Sequence, residues 1–327
     1  MRALLAAIGD PQLGFPAVHV VGTNGKSTAT LTIEAYLRAA GLSVGSTISP
    51  HVGGFGERIR IDGEEADFEH AVARVRPLAE QEGATQFEAL VAAALAEFAA
   101  RGVDVAVVEA GLGGRHDATN VLRTRVVLLT NVSLEHTEVL GSTRAAIAAE
   151  KLAVVQEGSA AVLPDLEFAS LAGPDVRVGG AKEAAEAYLG RLVEPLEDVR
   201  PPGRLEWRDG ELRDGAHNPA GAEWLAARLP REDFTVVASI LADKDADAML
   251  RQFARAGHRF VATTSCNARA LPAAELARLA APHFALVEAI DDPAEAVARA
   301  HELGEPVLVT GSLYLLADLA AQERAPG

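Results

Sequence analysis

Short valine-rich runs alternate with helical patterns along most of this chain, and that alternation limits the fold more than any other feature. Residues 18–21, 103–108 and 126–130 are nearly continuous apolar runs of strand length, the pattern of strands buried on both faces. Between and after them, helices are predicted at about 28–40, 68–81, 87–101 and 143–155. Strands that alternate with helices predict a mostly parallel sheet with helices on both faces. From 164 to 203 the rhythm lapses, because Pro164, Gly173-Pro174, Gly179-Gly180, Pro195 and Pro201-Pro202-Gly203 punctuate the stretch. Beyond it, helices are predicted at 220–228, 246–256, 273–280 and 293–303, with strands at 235–238, 259–262, 285–287 and 306–309. The expected fold class is α/β: a first domain over 1–165, an irregular connection over 166–203, and a smaller doubly wound domain over 204–327.

Charge and composition restrict the partners. A net charge of −16 disfavours nucleic acid, whose binding depends on neutralising phosphates. It leaves room for a small anion, which needs only a local pocket of N–H groups and a few cations. The longest apolar stretch, 89–100, contains Glu97 and falls short of the roughly 20 residues that span a bilayer, so no membrane partner is expected. The single cysteine, Cys266, rules out an intramolecular disulfide and fits a reducing compartment. The chain is expected to be a cytoplasmic monomer acting on small molecules.

The strongest motif is His19-Val20-Val21-Gly22-Thr23-Asn24-Gly25-Lys26-Ser27-Thr28, a buried strand running into a glycine-rich turn and a helix. Gly22 and Gly25 let backbone approach phosphate oxygens, and the helix start offers unpaired N–H groups at its positive end. Lys26 adds a point charge, and a hydroxyl from Ser27 or Thr28 can reach Mg²⁺. Only two residues separate the glycines, so the spacing is not that of the common P-loop. The alternative is a ligand-free turn capped by Asn24 or Ser27. Glu109 closes the run 103–108 at the carboxyl end of a parallel strand, where open α/β sheets hold ligands and where a carboxylate can take Mg²⁺.

Gly22-Thr23-Asn24-Gly25-Lys26 resembles the nucleotide loop of the Mur ligase superfamily, which includes folylpolyglutamate synthase and dihydrofolate synthase. Further segments are similar to the folate branch: Ser49-Pro50-His51 with Glu57-Arg58-Ile59, the run from Glu109 through Gly111-Leu112-Gly113-Gly114-Arg115-His116-Asp117-Ala118-Thr119 to Asn120, Leu134-Glu135-His136-Thr137, and Glu150-Lys151. Gly203-Arg204-Leu205-Glu206, Asp214-Gly215-Ala216-His217-Asn218-Pro219, Asp243-Lys244-Asp245 and Thr310-Gly311-Ser312-Leu313-Tyr314 follow in the same order. The resemblance implies a Mur-ligase-like P-loop ATPase domain followed by a Rossmann-like ligase domain.

It also implies ATP and two Mg²⁺ ions as cofactors, with Ser49, Glu109, His136 and a carbamylated Lys151 at the metals. Arg204 is implied at the phosphates, Asp214 at the ribose, and His217 near the incoming amino acid. Lys244 and Ser312 are candidate partners for L-glutamate, and Phe87 for the folate or dihydropteroate acid. Plain structural roles stand beside these. Thr85 and Glu88 form a capping box pattern, His136 fits a surface turn, Asp214-Gly215 a turn, and Ser312 a helix cap. The resemblance further implies a G-x-H-Q-x-x-N helix near adenine, and no such run occurs between Lys151 and Gly203. The expected reaction is ATP-dependent amide formation through an acyl phosphate. A Mur-type ligase for another acid or amino acid and a non-catalytic nucleotide-binding module are the rival readings.

Overall fold

The computed structural model describes residues 1–196, 199–230 and 233–324, which form two compact units, one of Met1–Pro50 with Phe55–Val199, the other of His51–Gly54 with the chain from Arg200 onward.

The first unit runs α1 (Arg2–Ala7), β1 (Ala17–Val21), α2 (Lys26–Ala39), β2 (Val44–Thr47), β3 (Arg60–Ile61), β4 (Glu64–Glu65), α3 (Phe68–Gln81) and α4 (Gln86–Arg101). It continues with β5 (Val105–Glu109), β6 (Thr124–Leu129), α5 (Thr137–Leu140), α6 (Arg144–Leu152), β7 (Ala160–Leu163), β8 (Val176–Val178) and α7 (Ala181–Leu189). The strands form one sheet in the order β4-β3-β2-β5-β1-β6-β7-β8, parallel from β2 to β8 with an antiparallel edge at β3 and β4. Alternate residues of each central strand enter opposite cores. Val18, Val20, Val105 and Val107 pack with Ile33 and Leu37 of α2 and Ala184 of α7. Ala17, Ala106 and Val108 pack with Leu95 and Phe98 of α4. Burial on both faces is why these strands read as continuous apolar runs rather than alternating ones.

Part of the stretch expected to be irregular is regular. Within 166–203, β8 extends the sheet by pairing with β7, and α7 buries Ala184, Ala185 and Tyr188 on the α2 side. The reasons are physical. Strand β8 has only three residues, two of them exposed at the sheet edge, so it carries no buried run. Gly179-Gly180, read as a break, opens the helix: the Gly180 N–H is held by the Glu183 carboxylate at 2.7 Å.

The second unit contains β9 (Glu206–Arg208), β10 (Glu211–Arg213), α8 (Pro219–Ala226), β11 (Thr235–Ala238), α9 (Ala246–Phe253) and β12 (Arg259–Ala262). After these come α10 (Ala273–Ala280), β13 (Leu286–Ala289), α11 (Pro293–Leu303), β14 (Val307–Thr310) and α12 (Leu313–Arg324). Its sheet order is β13-β12-β11-β14-β10-β9, parallel except for β9. Two punctuation signals explain sharp helix starts here. Asn218 accepts from the Gly221 N–H ahead of Pro219, and Asp292 accepts from the Ala294 and Glu295 N–H groups beside Pro293.

Phe98 lies so close to β2 that a Cβ on Gly45 would stand 2.5 Å from its ring. Gly45→Ala is expected to destabilise the protein by about 1–3 kcal/mol through overpacking. In a Phe98→Leu background the alanine's added cost should shrink, as read by urea unfolding of the four variants.

Candidate active site

The candidate site of the first unit sits where β1, β5 and β6 end. Gly22 leaves β1 with φ +149°, and a Cβ there would overlap the hydroxyl of Thr130, which passes directly beneath. Thr130 Oγ1 donates to the Asn24 carbonyl at 2.7 Å, and Asn131 grips Asn24 twice, through its carbonyl and its N–H. Thr23 Oγ1 accepts from the Ser133 N–H at 3.1 Å. The turn is thus fastened to the segment after β6 along its whole length. Gly25 takes the left-handed conformation (φ +80°) as N-cap of α2, so α2 begins at Lys26 with its first N–H groups at the turn. Ser27 is buried in that first turn and Thr28 is half-buried. Lys26 Nζ donates to the Thr23 carbonyl at 3.2 Å, which keeps the ammonium over the loop.

Two candidate metal residues meet directly. Glu109 ends β5 almost fully buried, and its Oε2 accepts from the Ser49 N–H at 3.0 Å. Lys151, on α6, is also buried, and its Nζ donates to the Gly22 carbonyl at 2.8 Å. Burial, with Lys26 close by, lowers the Lys151 pKa to about 7; Glu135, Asp117 and Glu150 oppose the shift. His136 adopts the left-handed conformation as N-cap of α5, its ring 3.8 Å from the carboxylates of Glu135 and Glu138. Among the described residues no group of three or more His, Cys, Asp or Glu side chains could hold a metal. The implied set is of another kind, combining the oxygens of Ser49 and Glu109 with His136 and a modified lysine.

The glycines after Glu109 are there for close approach. At Gly111 a Cβ would stand 2.6 Å from the Phe87 ring and 3.0 Å from Asp117 Oδ2, and at Gly114 it would stand 2.5 Å from the Lys151 carbonyl. The loop therefore threads between Phe87 and α6, joining the acid-substrate candidate to the lysine helix. Thr85 and Glu88 form the capping box of α4, which fixes the first turn that carries Phe87. Asp117 has a role that residue type and spacing do not reveal. It accepts from the Leu112 N–H at 2.8 Å and so holds the loop, and its only signal in the sequence is membership of the run 109–120.

In the second unit the candidates gather at the carboxyl ends of β10 and β14. Asp214 is buried, accepts from the Leu205 and Ala216 N–H groups at 3.0 and 2.9 Å, and has its pKa raised by burial against the pull of Arg204. The Arg204 guanidinium lies beside Gly215, where a Cβ would meet Nη1 at 2.5 Å, and His217 Nδ1 lies 2.9 Å from the Gly215 carbonyl. Ser312 is buried, and its hydroxyl accepts from the Tyr314 N–H at the start of α12, the capping role. Lys244 pairs with Asp243 at 3.4 Å. In the first unit, helix α7 carries Lys182, Glu183 and Glu186 on its first turns, with Lys182 paired to Glu186 at 3.3 Å. No imidazole or carboxamide stands on it.

Comparison with known proteins places both units in named domain families. Residues 20–173 match the Mur ligase middle domain, and 203–313 match the Mur ligase glutamate ligase domain. Those two domains in that order make the chain a Mur-type ligase. It is 32% identical over 391 residues to the folylpolyglutamate synthase of Lacticaseibacillus casei, covering 95% of this chain and 91% of the relative. The structure of Mycobacterium tuberculosis folylpolyglutamate synthase complexed with ADP and AMPPCP superposes with a TM-score of 0.90 at 28% identity, over 99% of this chain and 95% of that one. A Yersinia pestis bifunctional folylpolyglutamate/dihydrofolate synthase with Mn, AMPPNP and L-glutamate bound gives 0.84 at 28% identity, over 98% and 92%. The chain belongs to the folylpolyglutamate synthase/dihydrofolate synthase family.

Because Thr130 fills the space under Gly22, Gly22→Ala must push the loop off its fastening. Affinity for an ATP analogue, measured by calorimetry, is expected to fall by at least about tenfold, the scale of a lost hydrogen bond or two, while circular dichroism stays unchanged.

Proposed function

We propose that this chain is an ATP-dependent ligase that adds L-glutamate to a folate-type carboxylic acid, dihydropteroate or tetrahydrofolate, through an acyl phosphate. The carrying observation is the fastened Gly22–Thr28 turn with Lys26 and, at the same sheet edge, buried Glu109 held to Ser49 and buried Lys151 held to Gly22. The γ-phosphoryl group passes to a carboxylate oxygen, forming one P–O bond while the bond to ADP breaks. The neutral amine of glutamate then attacks the acyl carbon, and the tetrahedral intermediate expels phosphate as the amine's proton leaves.

The chain contributes mainly position and charge. Lys26 and the first N–H groups of α2 hold phosphate oxygens. Arg204 is proposed at the phosphates, Asp214 at the ribose, and His217, Lys244 and Ser312 toward the amino acid, with Phe87 lining the acid's pocket. Mg²⁺ prefers hard oxygen donors, and Glu109 with the hydroxyls of Ser49 and Ser27 or Thr28 fits that preference. His136 would complete a second site. When bound, the metal neutralises repulsion between phosphate and carboxylate. The enzyme is proposed to work as a monomer in the cytoplasm; no helix among its described residues is long and apolar enough to cross a membrane.

Lys151 as a free amine is a poor magnesium ligand, and we propose that it is carbamylated. Its nitrogen adds to the carbon of CO₂, an electron pair moves onto oxygen, and the amine's proton leaves to solvent. A pKa near 7 supplies the neutral amine the step requires, and the resulting carbamate is an anion beside Lys26 that keeps an N–H.

Two measurements test these proposals. ADP release from ATP should depend on both glutamate and dihydropteroate or tetrahydrofolate, and Lys26→Ala should lower it at least about a hundredfold, as expected when a transition-state cation is removed. Nucleotide binding without any acid-dependent turnover would overturn the folate assignment. Under ¹³C-bicarbonate, a carbamate resonance should grow as pH rises through about 7, since only the unprotonated amine reacts, and should be absent in Lys151→Arg.

A further inference from the structure

Beneath the glycine loop lies a polar chain that none of these roles uses. His19 is the only polar side chain of β1, fully buried, opposite Val108 of β5 and Val127 of β6. Its Nε2 lies 2.8 Å from Thr119 Oγ1, whereas Nδ1 is buried with no partner among the described residues. The Thr119 hydroxyl has one proton and donates it to Asp117 Oδ1. It must therefore accept from His19, which puts the imidazole proton on Nε2 and leaves Nδ1 bare. Burial lowers the His19 pKa to about 4, so the ring is neutral at physiological pH, as this arrangement requires. Asp117 Oδ1 also accepts from the Thr119 N–H at 3.0 Å, while Oδ2 accepts from the Leu112 N–H at 2.8 Å. The hydrogen bonds run unbroken from the middle of the sheet to the backbone of the loop.

A leucine at position 19 would bury as well and would leave no unsatisfied nitrogen, so packing alone does not account for this histidine. Asp117 Oδ2 and the Phe87 ring approach the same point, the place where a Cβ on Gly111 would stand. Loop, ring and carboxylate thus meet at Phe87, the residue proposed above to line the acid's pocket. We infer that His19 is a positioning residue for the ligase reaction: through Thr119 it aims the Asp117 carboxylate, which holds the 111–114 loop against Phe87. The inference rests on the proposed function and concerns the acid's side of the site.

The test uses the full chain and the variants His19→Leu, His19→Gln, Thr119→Val and Thr119→Ser. Leucine and valine remove the relay, whereas glutamine and serine retain a donor at its place. KM for dihydropteroate or tetrahydrofolate should rise roughly tenfold in the first pair, with KM for ATP within about twofold of wild type. The second pair should recover most of the loss, and His19→Leu with Thr119→Val together should be no worse than either alone. Should His19→Leu fail to fold, the Thr119 pair carries the comparison. Folded variants with unchanged kinetics, an equal rise in KM for ATP, or no recovery by serine and glutamine would overturn the inference. Hydrogen exchange of residues 111–117 without substrate, expected to quicken in Thr119→Val and not in Thr119→Ser, judges the relay even if the wild type turns over no folate; equal exchange in both would likewise overturn it.

Discussion

Everything at the first unit's sheet edge depends on how the backbone of Gly22 is held. On one side the Thr130 hydroxyl fills the space a side chain would need. On the other, the Lys151 amine takes the Gly22 carbonyl. A phosphate-binding turn works by offering N–H groups already aimed at the anion, because N–H groups that must first be ordered lose affinity to entropy. Fastening the turn through its carbonyls and side chains leaves the N–H groups at the start of α2 as the ones that face a ligand. The close approaches at Gly111 and Gly114 extend the same order to the neighbouring loop, so strand ends, Phe87 and α6 become one framework.

The chain's net charge of −16 does not weaken such a site. Beyond about 8–10 Å, exposed charges are screened by salt, while Lys26 and Lys151 act at short range in a partly buried setting. Lys26 and Lys151 are close enough to repel each other, and Glu135, Asp117 and Glu150 offset part of that repulsion at Lys151. Part of the acidic surplus is taken up in caps and ion pairs, such as Asp292 before α11 and Glu211 with Arg213.

Much of the fold was legible because the strands are buried on both faces, so β1, β5, β6 and β11 announce themselves as apolar runs. The boundaries of α3, α10 and α11 follow their apolar periodicity and caps. What escaped notice lacks such a signal. Strand β8 is short and half-exposed, and α7 begins at glycines whose capping partner, Glu183, is recognisable only once the helix exists. The Gly22–Thr28 turn between β1 and α2 was legible because its signal is local: glycines, a lysine and hydroxyls within seven residues. The pairing of Ser49 with Glu109 spans sixty residues, and that of Lys151 with Gly22 spans 129. Neither follows from residue type or spacing. The chain from His19 through Thr119 to Asp117 was hidden most completely, because a histidine inside a strand carries no mark of what its nitrogens meet.

Lysine 151 illustrates how burial and chemistry are linked. Lowering its pKa from 10.5 to about 7 corresponds to roughly 5 kcal/mol of disfavour for the buried ammonium. The sign follows from proton counts. Below about pH 7 both folded and unfolded chains hold this proton, and the folded state carries the full cost. Between about 7 and 10.5 only the unfolded chain holds it, so rising pH favours the folded state; above that the contribution is constant. Acid cannot relieve the cost. The carbamate proposed above would turn the repulsion from Lys26 into attraction and keep an N–H for the Gly22 carbonyl, whereas Glu135, Asp117 and Glu150 would oppose the anion until a cation joins it. A lysine placed here for stability alone would be better replaced by methionine or leucine, which bury at no electrostatic cost. The negative charge it would acquire by the carbamylation proposed above would account for a lysine here.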